Sequence, residues 1–355
     1  MINAEYKVVA VMSGTSLDGI DVIYGIFNYD RDWSFKIHYA ETLKYSTEWK
    51  DLLGNLINKS FEELKELDIV YSEYLANEIQ GFITKYNLSE IDFISSHGHT
   101  ALHQPQNRIT YQIGNREILA DKLKQKVICD FRVQDVEYGG QGAPLVPIGD
   151  RLLFHDYDYC LNLGGFANVS FEEKDKRIAF DICPVNIVIN HYVSKINLEF
   201  DDRGKIASRG KVHKGLLNQL NQLEFYKRLE PKSLGLEWVK EHIFPTIDMF
   251  ELKIEDILRT FTEHITTQIA LVLKDKQSST LITGGGAYNN FLIEQLKLKT
   301  QSKIIIPDNQ VIEFKEAIVF GLLGILRDRN EVNCLKSVTG AIKDHSSGKI
   351  LNPNS

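Results

Sequence analysis

The chain has 355 residues, 43% of them hydrophobic and 25% charged, with 41 Lys and Arg against 48 Asp and Glu for a formal net charge of −7. That length admits one large domain or two ordinary ones, and the balance is that of a folded globular protein. The acidic surplus argues against a general nucleic-acid binder or a binder of acidic membranes, while leaving room for a local basic pocket, and no apolar run approaches the ~20 residues of a spanning helix.

The β-branched run "KVVA" enters "VMSGTSLDGID" and "VIYGIF" leaves it, which predicts strand, polar glycine turn, strand. Backbone N–H groups in such a turn can converge on an anion, and small side chains permit close approach. Gly14, Thr15, Ser16, Leu17, Asp18, Gly19, Ile20 and Asp21 are therefore candidate phosphate contacts, with Asp18 and Asp21 suited to a Mg²⁺ ion directly or through water. A tight hairpin whose hydroxyls cap their own turn is the alternative. It is not a Walker A loop, since no Gly-Lys-Ser/Thr follows.

Next, "TEWKDLLGNLINKS" and "FEELKELDIVYSEYLANEIQGFITKYN" carry apolar residues at helical spacing. "IDFISSHGHTALHQP" reads as a buried strand running into a polar loop with His97, His99 and His103. Their loose spacing, without a partnering Cys or HExxH helix, favours sugar or phosphate contacts over zinc. "TYQIGNREILADKLKQKVICDF" predicts a strand or turn, a helix and a strand. "RVQDVEYGGQGAPLVP" predicts a long loop crossing between two halves, and so a first domain over 1–145 and a second over 146–355. Arg132 enters that loop, suited to forking onto a carboxylate or phosphate or to a salt bridge.

The second half repeats the opening pattern. "YDYCLNLGGFANVSFEE" predicts strand, turn at Gly164 and Gly165, strand, and a second glycine turn facing the first would grip a polyphosphate from both sides. "RIAFDICPVNIVINHYV" places Asp181 at the end of an apolar strand, where it serves as a general base or as the N-cap of the next helix, with Pro184 starting that helix and Asn186 turned inward. "LITGGGAYNNFLIEQL" predicts a strand, bare backbone at Gly284, Gly285 and Gly286, and a helix capped by Asn289 or Asn290. Glu316 is read as beginning the apolar helix "EAIVFGLLGILRDRN", pointing into a cleft or answering the helix dipole. The polar tail from Thr339 is expected to run over the surface or pack back on the first domain. Two α/β lobes with a ligand cleft satisfy this pattern best. Cys129, Cys160, Cys183 and Cys334 form no CxxC pair, which suggests neither disulfides nor zinc and fits a reducing cytoplasm. With no leader evident, the "NVS" sequon at Asn168 is then accidental.

The ordered series "MSGTSLDGID", "SSHGHTALHQP", "QIGN", "CDFRVQDVEYGGQGAPLVP", "NLGGFANVSF", "FDICPVN", "KSLGLEW", "TGGGAYNNFL" and "EAIVFG" resembles the anhydro-N-acetylmuramic acid kinases, members of the sugar kinase, actin and heat-shock ATPase superfamily. The resemblance implies an α/β fold of two actin-like, ribonuclease-H-like domains around a central ligand cleft, with ATP and Mg²⁺ as cofactors. ATP would lie against Gly14 to Asp21, Gly164, Gly165 and Gly284 to Gly286, with Asp18 near the metal. It implies hydrolytic opening of 1,6-anhydro-N-acetylmuramic acid and phosphorylation of its 6-oxygen, in cell-wall recycling. Asp181 would activate the water, Arg132 would hold a lactyl carboxylate or a phosphate, and His97, Asn168, Asn186 and Glu316 would contact the sugar. The partner expected is a small anhydrosugar, with neither nucleic acid nor membrane, and a homodimer is admitted. Two departures stand out. The family's "DTGPGN" reads "DICPVN" and its "KSTGRE" reads "KSLGLE", which bears on substrate and rate more than on fold, while His99 replaces a common Gln. A kinase for another anhydrosugar, or a nucleotide-binding module without sugar chemistry, are the alternatives.

Overall fold

The computed structural model describes residues 4–14, 17–274 and 277–354. Two units result, Met1–Leu153 with Phe314–Ser355, and Phe154–Glu313.

In the first unit, β1 (Glu5–Ser13) lies inside a six-stranded sheet with β2 (Ile20–Asp30), β3 (Asp32–Leu43), β4 (Phe93–Ser96), β7 (Val127–Cys129) and β13 (Lys349–Leu351). Its order is β13-β7-β4-β1-β2-β3, with β1, β4 and β7 parallel and β2 antiparallel to both its neighbours. A strand covered on both faces needs an unbroken apolar run, and β1 is buried from Val8 to Ser13. Two further strands, β5 (His99–Gln104) and β6 (Ile109–Ile113), form a separate hairpin. The helix Phe61–Lys85 starts on a capping box between Ser60 and Glu63 and buries Leu64, Tyr71, Leu75, Ile79 and Phe82, the single stripe that its helical spacing predicts.

The helix Asn309–Asp328 packs on the same sheet from Phe314 onward and so joins the first unit rather than the second domain to which its position assigned it, while the tail packs back on the first unit, one of its two expected placements. Lys315 pairs with Asp150 at 2.6 Å, Gly149 lies against Val319, and β13 pairs antiparallel with β7. Close approach of helix to sheet is made by glycine. A Cβ on Gly324 would stand 2.6 Å from Ser95 Oγ, whose hydroxyl donates to Phe320 O at 2.5 Å. Gly324→Ala is therefore expected to destabilise the protein by about 1–3 kcal/mol despite the better helix propensity of alanine, read as a lower midpoint in denaturant.

The second unit holds β8 (Tyr159–Leu163), β9 (Phe166–Glu173), β10 (Lys176–Pro184), β11 (Ser279–Thr283) and β12 (Lys303–Ile305) in the order β10-β9-β8-β11-β12. β9 is antiparallel to both neighbours, while β11 and β12 run parallel to β8. Counting sheet strands alone from the start of each unit, both sheets carry the order 3-2-1-4-5 of the ribonuclease-H-like topology, to which β13 adds a sixth edge strand in the first, and the similar halves of the sequence are two copies of one α/β plan. The helix Ile254–Val272 buries Ile257, Phe261, Ile265 and Ile269 in the core of this unit. No described helix is long and apolar enough to cross a membrane.

Candidate active site

In the first unit, the β1–β2 connection carries Gly14, Leu17, Asp18 and Gly19, while Thr15 and Ser16 lie outside the described residues. Asp18 is exposed. Gly19 is required by space, since a Cβ there would meet Leu43 O at 2.5 Å. Ile20 is fully buried in the core, so only its backbone is available to a ligand. The Asp21 carboxylate accepts the Thr42 hydroxyl at 2.6 Å, which fixes it on β2.

The three histidines part company. His99 is buried and shares a hydroxyl network with Ser13, Tyr45 and Tyr71, its Nδ1 lying 2.8 Å from Ser13 Oγ. Burial pulls its pKa down to about 4. His103 is exposed and meets Thr110. His97 is buried on the loop after β4. Arg132 Nε donates to its Nε2 at 2.9 Å, so its proton is on Nδ1, which donates to Gly98 O at 2.9 Å. Burial, then the Arg132 charge, push its pKa well below normal, and His97 is a neutral imidazole.

Arg132 spends Nη1 on Gly142 O at 2.7 Å, and among the described residues Nη2 has no hydrogen-bond partner. Phe320 lies against both, with its ring 4.7 Å from that of His97 and 6.0 Å from the guanidinium. Glu316 sits well inside the helix Asn309–Asp328 and is not its first-turn residue. It is solvent-accessible yet closely surrounded, so that desolvation raises its carboxyl while Arg132 and Lys315 pull it back. His97, Arg132 and Glu316 are thus brought together in one unit. A fourth residue, Asn115, escaped the sequence reading although it ends the "QIGN" motif. Both its amide atoms are buried without a partner among the described residues, beside Gly98. An orphaned amide is a ready donor and acceptor for a ligand.

In the second unit, the β10-to-helix corner docks on the β8–β9 turn. Val185 N donates to Gly165 O at 2.8 Å, Asn186 N to Gly164 O at 3.3 Å, and the Asn186 amide to Leu163 O at 3.2 Å. Gly284, with φ of 80°, follows β11 against Asn162 and Leu163, where a Cβ would be 2.4 Å from Asn162 Oδ1. Gly164, Gly165, Asn186 and Gly284 to Gly286 therefore form one patch. Gly165 and Gly285 are exposed, with no atom nearer than 3.9 and 3.8 Å to where a Cβ would be, which leaves bare backbone open to a ligand. Asn289, not Asn290, caps the helix Asn290–Lys297 by accepting from Leu292 N.

Asp181 lies in β10 beside a bulge, opposite exposed Asn168 on β9. It is not an N-cap, because the helix Asn186–Ser194 begins after Val185, and Pro184 closes the strand rather than opening the helix. Its N–H donates to Lys232 O at 2.9 Å and its Oδ2 accepts from Leu234 N at 2.8 Å. Burial raises its pKa above 3.8, with the Leu234 N–H opposing. The two motifs that carry the departures thus meet, through Asp181 and the backbone of Lys232 and Leu234. Since the contact runs through the Leu234 backbone, leucine in place of threonine keeps it. Ile182, Cys183 and Val185 are buried in the core, and burial pushes the Cys183 thiol up, away from the reactive thiolate.

The sequence profile described as AnmK, anhydro-N-acetylmuramic acid kinase, matches residues 6–353. Among curated relatives, the anhydro-N-acetylmuramic acid kinase of Pseudomonas syringae pv. syringae (strain B728a) is 34% identical over 86% of each chain. That of Francisella tularensis subsp. novicida (strain U112) is 33% identical over 95% of this chain and 97% of its own. Among solved structures, component A of the Acidaminococcus fermentans (R)-2-hydroxyglutaryl-CoA dehydratase aligns remotely, 12% identical at a TM-score of 0.47 over 91% of this chain and 99% of that one.

Proposed function

The chain belongs to the anhydro-N-acetylmuramic acid kinase family, and from that premise we propose how its residues divide an ATP-dependent reaction on 1,6-anhydro-N-acetylmuramic acid. Water adds to the anomeric carbon, the bond from that carbon to the 6-oxygen breaks, and the freed 6-oxygen takes the γ-phosphoryl group as its bond to ADP breaks. The product is N-acetylmuramic acid 6-phosphate. Asp181 takes the proton from the attacking water. The observation that carries this role is a half-buried carboxylate, raised in proton affinity and aimed by one backbone N–H.

ATP fits the glycine patch of the second unit, whose open backbone at Gly165 and Gly285 admits close approach. The connection carrying Gly14, Leu17, Asp18 and Gly19 supplies phosphate contacts, with Asp18 exposed and able to hold Mg²⁺ directly or through water. When bound, that ion neutralises charge on the transferring phosphoryl group. Arg132, held by His97 and Gly142, takes the lactyl carboxylate, while Glu316, Asn115, Asn168 and Asn186 are the sugar contacts.

A coupled ADP-release assay tests this reading across the anhydrosugar, its ring-opened form and an anhydrosugar lacking the lactyl group. Turnover is expected on the first alone, and turnover on the ring-opened form would separate phosphorylation from ring opening. The pH profile tests the base. Asp181 acts deprotonated, so kcat/KM is expected to fall as pH drops through its raised pKa, on an acid limb above 3.8. A limb at or below that value would remove Asp181 from the role.

A further inference from the structure

Apart from any sugar chemistry, the first unit gathers Asp135, Cys334 and His345, each buried, with one ligand atom apiece all within 4.8 Å of one another. Cys334 and His345 oppose each other across an antiparallel bridge, joined by Cys334 N to His345 O at 3.1 Å and His345 N to Cys334 O at 3.2 Å. Asp135 comes from the helix Val133–Glu137 and is aimed by two donors, Thr339 Oγ1 onto Oδ1 and Gly142 N onto Oδ2, both at 2.7 Å. A Cβ on Gly140 would sit 2.2 Å from Oδ2, so that turn is glycine to let the carboxylate in.

The histidine is the informative member. His345 is 6% exposed, and its Nδ1 lies 3.1 Å from Lys343 O, which can only accept. Nδ1 therefore carries a proton, which leaves Nε2 as the ring nitrogen whose lone pair can serve a metal. Nε2 has no hydrogen-bond partner among the described residues, and the Asp135 oxygen 3.6 Å away is beyond hydrogen-bond reach. A backbone carbonyl on one ring nitrogen and a bare lone pair on the other is the arrangement of a metal-ligating histidine. Among the described residues the Asp135 carboxylate has no ion pair apart from that ring, and Arg132 turns its Nε and Nη1 to His97 and Gly142.

We infer that Asp135, Cys334 and His345 bind a divalent transition ion of the zinc class. Thiolate, imidazole and carboxylate together suit zinc, and drawing these atoms to the roughly 3–4 Å separations of a tetrahedral site takes little movement. On binding, Cys334 gives up its thiol proton, so two negative ligands meet a doubly positive ion. The fourth position goes to water. The ion would staple the tail to the turn whose Gly142 O holds Arg132.

The test is metal content and spectrum of the full chain. Purified with zinc supplied and then dialysed, the protein is expected to hold about one zinc per chain, and Cys334→Ser and His345→Ala to hold almost none. Replacing zinc by Co²⁺ is expected to give a thiolate-to-metal charge-transfer band that Cys334→Ser abolishes while Cys160→Ser leaves it intact. Native protein that takes up neither zinc nor Co²⁺ overturns the inference, whatever the variants do. So does full zinc content in both variants.

Discussion

Asp181→Asn is expected to lower kcat on the anhydrosugar by about 10²- to 10⁴-fold, the usual contribution of a positioned general base. The asparagine keeps the shape of the side chain and an oxygen for the Leu234 N–H that now donates at 2.8 Å, so the turn should hold. The glycine patch is fixed by other bonds, from Val185 and Asn186 to Gly165 and Gly164, and the Kd for ATP should stay within a factor of two or so of the native value. Loss of turnover with intact nucleotide binding, measured by calorimetry, separates the base from a merely structural carboxylate. A variant that turns over near the native rate would return Asp181 to a turn residue. A variant that loses both turnover and ATP binding would instead make it a support for the patch.

What the sequence shows of this site depends on whether a signal is local. The strand–glycine turn–strand pattern at both halves is local, since β-branched runs and small turn residues determine each hairpin on their own, and the duplicated sheet topology follows from it. Although its strand does not end there and runs on past a bulge to Pro184, Asp181 is legible too, as a lone carboxylate in an apolar strand. Its hydrogen-bond donor is not, because Leu234 acts through its backbone and any residue but proline would serve. The amphipathic pattern of the helix Asn309–Asp328 shows that one face is buried but not which sheet buries it, and glycines at 321 and 324 spell close approach only once Phe27 and Ser95 are seen beneath them. For the tail, composition leaves two placements open and cannot choose between them. Its polar residues suggest surface, yet His345 and Ser347 are buried, with Ser347 Oγ donating to Phe131 O at 2.7 Å.

Arg132→Ala is the second large effect, and its size should depend on the substrate. The guanidinium is held at Nε and Nη1 by His97 and Gly142, which leaves Nη2 as the donor without a protein partner among the described residues. Truncating one side of a buried, hydrogen-bonded charge pair costs about 2–5 kcal/mol, so kcat/KM on the lactyl-bearing anhydrosugar should fall by roughly 30- to 5,000-fold. Against an anhydrosugar without the lactyl group no such pair is lost, and the native enzyme's preference for the lactyl sugar should largely vanish in the variant. Arg132→Lys is expected to be nearly as poor, because an ammonium cannot reproduce a fork fixed at two nitrogens. An equal loss on both sugars would mean that Arg132 meets phosphate, or only braces His97 against Phe320, and the lactyl carboxylate would need another cation.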